Sequence, residues 1–296
     1  MTTAGSAGAG RGERAAGVLL GVLYGDCLGA PYEFQTGPLT APIAVGPSVF
    51  GHPAGRGTDD TETTVAVAEG LLDAAGGRSG ATTAIARRLL TWYEGSPPDV
   101  GGTTADGLSA FSRTGDPRSG ATGDRSIANG SLMRSAPFAL LNGDGSELAV
   151  DSSRTTHAHP LVLGCVRGYV RMLQMIMNDD APTGQQLCDL AEVDLDLHPG
   201  LDPADIPCPG IGYAPYALDL AVWSATKPTD DVTGIETIIR IGGDIHTNGA
   251  ICGAMLAARF GFPTELASHL DPARVDELAR LGRALLPCLD TDQIQP

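Results

Sequence analysis

The sequence predicts an all-α fold in a single domain. Apolar residues recur at three- and four-residue spacing in one segment after another. Strict alternation is almost absent, and no strand–helix–strand repeat appears. At 296 residues, 42% hydrophobic and 18% charged, the chain can bury one sizeable core.

The elements follow in order. Residues 1–14 are small and polar and read as a tail, which leaves 15–296 as the domain. Ala15 to Leu28 reads as a helix through Val18, Leu19, Val22 and Leu23, with Pro31 marking its stop. Asp26 falls on the apolar face, so it needs a partner and reads as a buried cap for a neighbouring loop. Glu33, just past the helix end, is free to face a pocket. Residues 36–57 form a long Gly/Pro loop, a length that in compact domains often carries function. A helix follows Thr58-Asp59-Asp60-Thr61 and runs to about Ala75. The next spans Thr82 to Glu94, with Trp92 assigned to the core. Ala105 to Phe111 is a short helix. Asn129-Gly130 then marks a turn, and Ser131 would open another helix. Leu161 to Met177 is strongly helical and apolar, whereas 178–212 has little periodicity. Tyr213 to Ala225 returns to helix. Thr233 to Ile241 suits strand or helix, and Ile235, Ile238 and Ile239 assign it to helix. A further helical run carries Ile251, Ala254, Met255 and Ala258. Asp271 to Leu286 closes the chain, with Asp271 as N-cap and Pro272 in the first helical position.

Composition narrows the functional classes. The net charge is −16 and Lys227 is the only lysine, so a broad basic surface for nucleic-acid backbone is not expected. A small anion held by backbone N–H groups stays open. Six cysteines without a CxxC pair read as free thiols in a reducing cytoplasm. The N-terminus has no apolar leader region, and no run reaches membrane-spanning length, so neither export nor a membrane partner is expected. The Arg-over-Lys bias with rich Ala and Gly suggests a GC-rich bacterial genome. No feature speaks to oligomeric state.

Two stretches carry chemistry. In Gly57-Thr58-Asp59-Asp60-Thr61, two adjacent carboxylates open a helix. One Asp can cap the helix, and the other then needs water or a cation; hard divalent ions take such oxygen ligands. The alternative is an over-capped surface helix. Far along the chain, Gly242-Gly243-Asp244-Ile245-His246-Thr247-Asn248-Gly249 repeats the arrangement: a glycine turn, metal-capable side chains, then an apolar helical run. If the two helix starts meet, they form one oxygen-rich pocket. The stretch Ser126 to Pro137 offers small residues that let a ligand approach backbone, or simply a tight turn. His157 and His159 are two apart, so on a helix they would not share a face, and a joint metal site is not expected.

These motifs in this order resemble the ADP-ribosylglycohydrolases: Gly25-Asp26 to Glu33-Phe34, Thr58-Asp59-Asp60-Thr61, Asn129-Gly130-Ser131 with Met133-Arg134, His157, Gly212-Tyr213 to Trp223, and Gly242-Gly243-Asp244 with Thr247. The resemblance spans about residues 15–262. It implies an all-α fold and a hydrolase that cleaves the C1″ glycosidic bond between ADP-ribose and a modified side chain, with arginine as the default. It implies Mg²⁺ or Mn²⁺ as cofactor, and ADP-ribose or an ADP-ribosylated protein as partner. Thr58, Asp59, Asp60, Asp244 and Thr247 would be metal ligands. Glu33 and Asp60 would be the catalytic carboxylates. Gly101, Gly102, Ser126, Asn129, Gly130, Ser131 and His157 would line the diphosphate and ribose site. Loop 36–57 could act as a lid.

The sequence departs from the family pattern in one place. The family's Asp-x-Asp-Thr is here Asp244-Ile245-His246-Thr247. A carboxylate can bridge two cations, while a neutral imidazole offers one lone pair. His246 as a metal ligand therefore leaves one or two ions open, and imidazole suits Mn²⁺, Zn²⁺ or Fe²⁺ better than Mg²⁺. Three readings follow: a hydrolase with altered metal use, a weakened relative that still binds ADP-ribose, or a site for another glycosidic or phosphoester substrate.

Overall fold

The computed structural model of the protein describes residues 10–74, 77–180, 183–192, 202–206 and 212–286. Among the described residues there are eleven α-helices and no sheet, as the spacing predicts. They are α1 (Arg11–Gly29), α2 (Asp59–Leu72), α3 (Gly77–Glu94), α4 (Gly102–Thr114), α5 (Ser146–Ser153), α6 (Pro160–Met177), α7 (Gly184–Asp189), α8 (Ala214–Thr226), α9 (Asp231–Arg240), α10 (Ile245–Phe260) and α11 (Pro272–Leu285).

Two helices form the axis. In α10 every residue from Ile245 to Ala258 is buried, and α1 is buried from Ala15 along most of its length. A helix apolar on all sides belongs at the centre of a domain. By length and composition Arg11–Tyr32 could cross a membrane, contrary to the sequence expectation. Here 78% of that apolar window lies inside the protein, which is where a central helix puts its apolar surface. The two axes cross at their glycines. A Cβ on Gly25 would lie 1.9 Å from the Gly249 carbonyl oxygen, and one on Gly21 would lie 2.3 Å from that of Gly253. Only glycine permits backbones this close. The crossing sets the end of α1 beside the start of α10.

The other helices surround this pair. α11 packs on α1 and α2, α3 on α2, α9 on α10, and α6 between α5 and α8. A second apolar cluster joins Leu220 of α8, Ile235, Ile238 and Ile239 of α9, and Cys252 and Leu256 of α10. The β-branched α9 is thus a helix, capped by Asp230, whose Oδ1 accepts from the Thr233 N–H at 2.8 Å. Asp271 caps α11 as expected, accepting from the Arg274 N–H at 3.1 Å. Cys27, Cys165 and Cys252 are buried free thiols. Cys208, Cys288 and the chain before Gly10 lie outside the described residues.

Several expectations are corrected. α1 begins at Arg11, inside the stretch read as tail, and Arg14 pairs with Asp179 at 2.7 Å. Ser131 opens no α-helix. Residues Asn129–Ser131 and Ala136–Leu140 are separate 3-10 turns, because Pro137 interrupts the run. Residues 178–212 contain the short helix α7, and the sequence reading missed α5, an eight-residue helix with five serine and acidic positions. Trp92 is half-buried rather than core, and its indole N–H donates to Glu62 at 2.7 Å.

Candidate active site

The site begins with Asp26. It is fully buried on α1, and its carboxylate accepts from the N–H of Thr58 (2.8 Å), the Thr58 hydroxyl (2.9 Å), the N–H of Thr61 (3.2 Å) and the Thr61 hydroxyl (2.6 Å). Asp26 is therefore the buried cap the sequence predicts, and the loop it caps is the start of α2. The α2 N-cap is Thr58 rather than an aspartate: its hydroxyl accepts from the Asp60 N–H at 3.4 Å. Neither aspartate is therefore needed as the cap, and both carboxylates are buried, within 3.3 and 3.5 Å of the Thr58 hydroxyl.

α10 starts against the same place. The Oε2 atom of Glu33 accepts from the N–H groups of Ile245 (2.9 Å) and His246 (3.1 Å). A carboxylate at a helix N-terminus satisfies orphan donors and opposes the helix dipole. Its other oxygen, Oε1, is buried without a hydrogen-bond partner, as is Oδ1 of Asp60. Asp244 accepts from the Asn129 side chain at 2.8 Å, which ties the Asn129-Gly130 turn to the α10 entrance.

His246 is the hub. Its Nδ1 is 2.7 Å from Asp60 Oδ2, while its Nε2 is 3.9 Å from Glu33 and 3.7 Å from Asp99. The Thr58 and Thr247 hydroxyls lie 3.5 and 3.4 Å from Nδ1. Burial opposes charge on the ring, yet Asp60, Glu33 and Asp59 outweigh it and hold the imidazole pKa well above its ordinary value. The carboxylates respond to burial as well. Glu33 is pushed up to about 8, through desolvation first and against the pull of His246. Asp60 rises to about 6 for the same leading reason. Asp59 is held well above the usual range by burial and by Asp60 beside it.

Glu33, Asp59, Gly101, Gly102, Asn129, Gly130, His157, Asp244, His246 and Thr247 line one cavity of about 210 Å³. Residues 186 and 212 positions apart thus meet, the condition that the sequence reading left open. Thr58 and Asp60 lie directly beneath, joined to the cavity through His246. Two more sequence-named residues, Ser126 and Ser131, do not line it either. Ser126 donates to the carbonyls of Gly123 and Ala121, and Ser131 accepts from Ser153, so both hydroxyls serve the loop itself. His157 stands apart from the acidic cluster. Burial and the Arg134 guanidinium push it down to about 3, so it is neutral, with Nδ1 on the Thr156 hydroxyl at 2.7 Å. His159 instead caps α6.

Three contributors were missed. Asp99 joins Asp59 and His246 in a group with ligand atoms within 4.8 Å of one another; the sequence reading named its neighbours Gly101 and Gly102 but not its carboxylate. Arg134 is buried and donates to the Gly130 carbonyl (2.5 Å) and the Thr156 hydroxyl (2.6 Å), bracing the turn that lines the cavity. Phe50, from loop 36–57, also lines it.

The donor set fits a divalent cation. Glu33, Asp244 and His246 form one close group, and Asp26, Asp60 and His246 another. The unpartnered oxygens of Asp60 and Glu33 are buried acceptors without a donor, a costly state that a cation relieves.

The ADP-ribosylglycohydrolase family profile matches residues 7–293. The chain is 29% identical over 302 residues to ADP-ribosyl-[dinitrogen reductase] glycohydrolase of Rhodospirillum rubrum, covering 95% of this chain and 98% of that protein. It is 24% identical over 295 residues to ADP-ribosylarginine hydrolase Tri1 of Serratia proteamaculans, covering 92% and 76%. A solved structure titled ADP-ribosylglycohydrolase-related protein complex superposes with a TM-score of 0.76 at 30% identity, covering 93% of this chain and 98% of that one.

Proposed function

The chain belongs to the ADP-ribosylglycohydrolase family, and from that premise we propose that it removes ADP-ribose from a modified side chain, arginine by default, in a reaction that depends on a divalent cation. The observation that carries the reading is the meeting of Glu33, Asp59, Asp99, Asp244 and His246 on one cavity.

Thr58, Asp59, Asp60, Asp244, His246 and Thr247 would hold the cation, with Mg²⁺ or Mn²⁺ the expected ion. Bound there, it would orient ribose hydroxyls and favour ionisation of water. The chain's own residues supply the rest. Breaking a glycosidic bond asks for a proton at the leaving atom and a water at the anomeric carbon. Glu33 suits that task because Oε2 is fixed by two amides while Oε1 is free. Gly101, Gly102 and Gly130 let a diphosphate approach backbone, and Asn129 keeps the turn in register with Asp244. Loop 36–57, through Phe50, can exclude bulk water as a lid.

A second reading has its own observation. His246 Nδ1 is already bonded to Asp60, so the imidazole competes with a cation for that carboxylate. A protein so occupied would bind ADP-ribose without turning it over. One experiment separates the two: release of free ADP-ribose from an ADP-ribosylarginine protein with Mg²⁺, Mn²⁺ or chelator, using the natural protein, His246→Asp and Glu33→Gln. The hydrolase reading requires turnover that chelator stops and Glu33→Gln abolishes. Silence from the natural protein with a gain in His246→Asp supports the binding reading.

A further inference from the structure

We infer that Phe34 and Phe50 form an aromatic clamp that recognises the planar cation of the departing side chain, a guanidinium, and so sets the enzyme's choice of linkage. The inference deepens the hydrolase reading and rests on it.

Phe34 is 67% exposed and its backbone has φ +62°, the left-handed region that a bulky side chain rarely adopts. Its conformation is fixed from both sides. The Phe34 N–H donates to the Gly243 carbonyl at 2.9 Å, and the Gly243 N–H donates to the Gln35 carbonyl at 2.8 Å. Folding gains little burial from a ring held this way. A strained residue with little packing return, on the rim of the cavity, calls for a functional account.

The ring does have a neighbour. Phe50 meets Phe34 edge to face, with centroids 5.8 Å apart and planes at 86°, and Phe50 in turn meets the His246 ring at 6.5 Å. Both phenylalanines line the cavity beside Glu33 and Asp99. Phe34 directly follows the residue proposed to act at the scissile bond. The group leaving the ribose therefore passes the two rings, with a carboxylate close by. An aromatic face with a carboxylate at its edge matches a flat, delocalised cation: the ring quadrupole attracts the guanidinium face and the carboxylate takes its N–H edge. A serine-linked conjugate offers neither a plane nor a charge.

The test uses the full chain with Phe34→Leu, Phe50→Leu and Phe34→Tyr. Hydrolysis is compared on ADP-ribosylarginine and ADP-ribosylserine peptides, with free ADP-ribose binding measured by calorimetry. Leucine at either position should raise KM for the arginine-linked peptide roughly tenfold, with kcat changed by less than about twofold. Phe34→Tyr, which keeps an aromatic face, should lose less than Phe34→Leu, and affinity for free ADP-ribose should not move. Equal losses on the serine-linked peptide would overturn the inference. So would a loss of free ADP-ribose affinity, since the rings would then be stacking the adenine. Equilibrium binding of the intact arginine-linked peptide in chelator gives a readout independent of turnover. If the protein is inert yet leucine lowers that peptide's affinity relative to free ADP-ribose, the clamp stands and the hydrolase reading falls. If the protein hydrolyses the arginine-linked peptide and leucine changes nothing, the clamp falls and the hydrolase reading stands.

Discussion

Replacing His246 with Asp tests how the acidic cluster is held together. In the chain as it stands, the imidazole lies 2.7 Å from Asp60, 3.7 Å from Asp99 and 3.9 Å from Glu33, and every one of these contacts is attractive when the ring is charged. A carboxylate in its place turns each contact repulsive and leaves Asp60, fully buried, without its partner. Removing one member of a buried ion pair costs about 3 to 5 kcal/mol. The carboxylates can relieve part of that by taking up protons, so the lower end, about 3 kcal/mol, is expected. The assay is urea unfolding in chelator. With a slope of about 3 kcal/mol per molar for a chain this size, the midpoint should fall by about 1 M. Adding Mn²⁺ should then return the loss, because a ligand at 100 times its Kd stabilises by about 2.7 kcal/mol. The natural protein should gain less from the same ion, since His246 already supplies a positive charge. Equal midpoints for the two proteins in chelator would refute the argument. Equal gains from Mn²⁺ would refute its second half.

Other outcomes follow from the same geometry. In chelator, stability should fall as pH rises from about 4.5 to about 8. The raised pKa of Glu33, about 8 against 4.5, means the folded state keeps a proton that the unfolded chain has released, so its contribution is lost through that window at up to about 1.4 kcal/mol per pH unit. His246, raised above 6.5, contributes fully below that value and loses its contribution as pH climbs to its folded pKa, so it acts in the same direction. Urea midpoints across pH check both, and Glu33→Gln should flatten the profile. Gly25→Ala places a methyl 1.9 Å from the Gly249 carbonyl and should cost about 3 kcal/mol in thermal unfolding while abolishing turnover, because α1 and α10 must part. An unchanged melt would show that the crossing can relax. Arg134→Met keeps volume but strips the donors from the Gly130 carbonyl and the Thr156 hydroxyl; calorimetry should show weaker ADP-ribose binding, with about 2 kcal/mol lost from stability.

What the sequence disclosed depended on how each helix is buried. Helices with one wet face, such as α9 and α11, announce themselves through spaced isoleucines and leucines and through aspartate caps. Asp26 was legible for a related reason: a charge on an apolar face must find donors, and the nearby Thr58 and Thr61 supply them. The motif residues were legible through the resemblance, which gives identity and order but no distance. Nothing in the chain could show that Glu33 would accept the first amides of α10, since that contact crosses more than 200 residues and depends on a glycine crossing. Ser126 and Ser131 sit in a motif that lines the cavity, yet their hydroxyls turn inward to fix the loop. Spacing alone does not distinguish a residue that touches ligand from one that shapes its neighbour. Phe34 was quoted only as part of a motif because its meaning lies in its backbone angle and its exposure, neither of which a sequence states.

The architecture also bears on how a protein of charge −16 would take the diphosphate of the proposed substrate. Three helices begin at the cavity: α2 at Asp59, α4 at Gly102 and α10 at Ile245, each with a neighbouring or first-turn residue on its wall. Helix starts carry partial positive charge from unpaired amides. Two of the three spend it on the chain's own carboxylates: α10 is capped by Glu33, and α2 carries Asp59 and Asp60 in its first turn. The start of α4 is different. No side chain caps it, and a Cβ built on Gly102 would meet nothing within 4 Å. The protein's own packing therefore gives no reason for glycine there, in contrast to Gly25. A ligand that comes close to the backbone would supply one, and the uncapped first amides of α4 are donors that the proposed diphosphate could use. The acidic cluster and the uncapped start of α4 thus line the same cavity and differ in which helix start is capped from within.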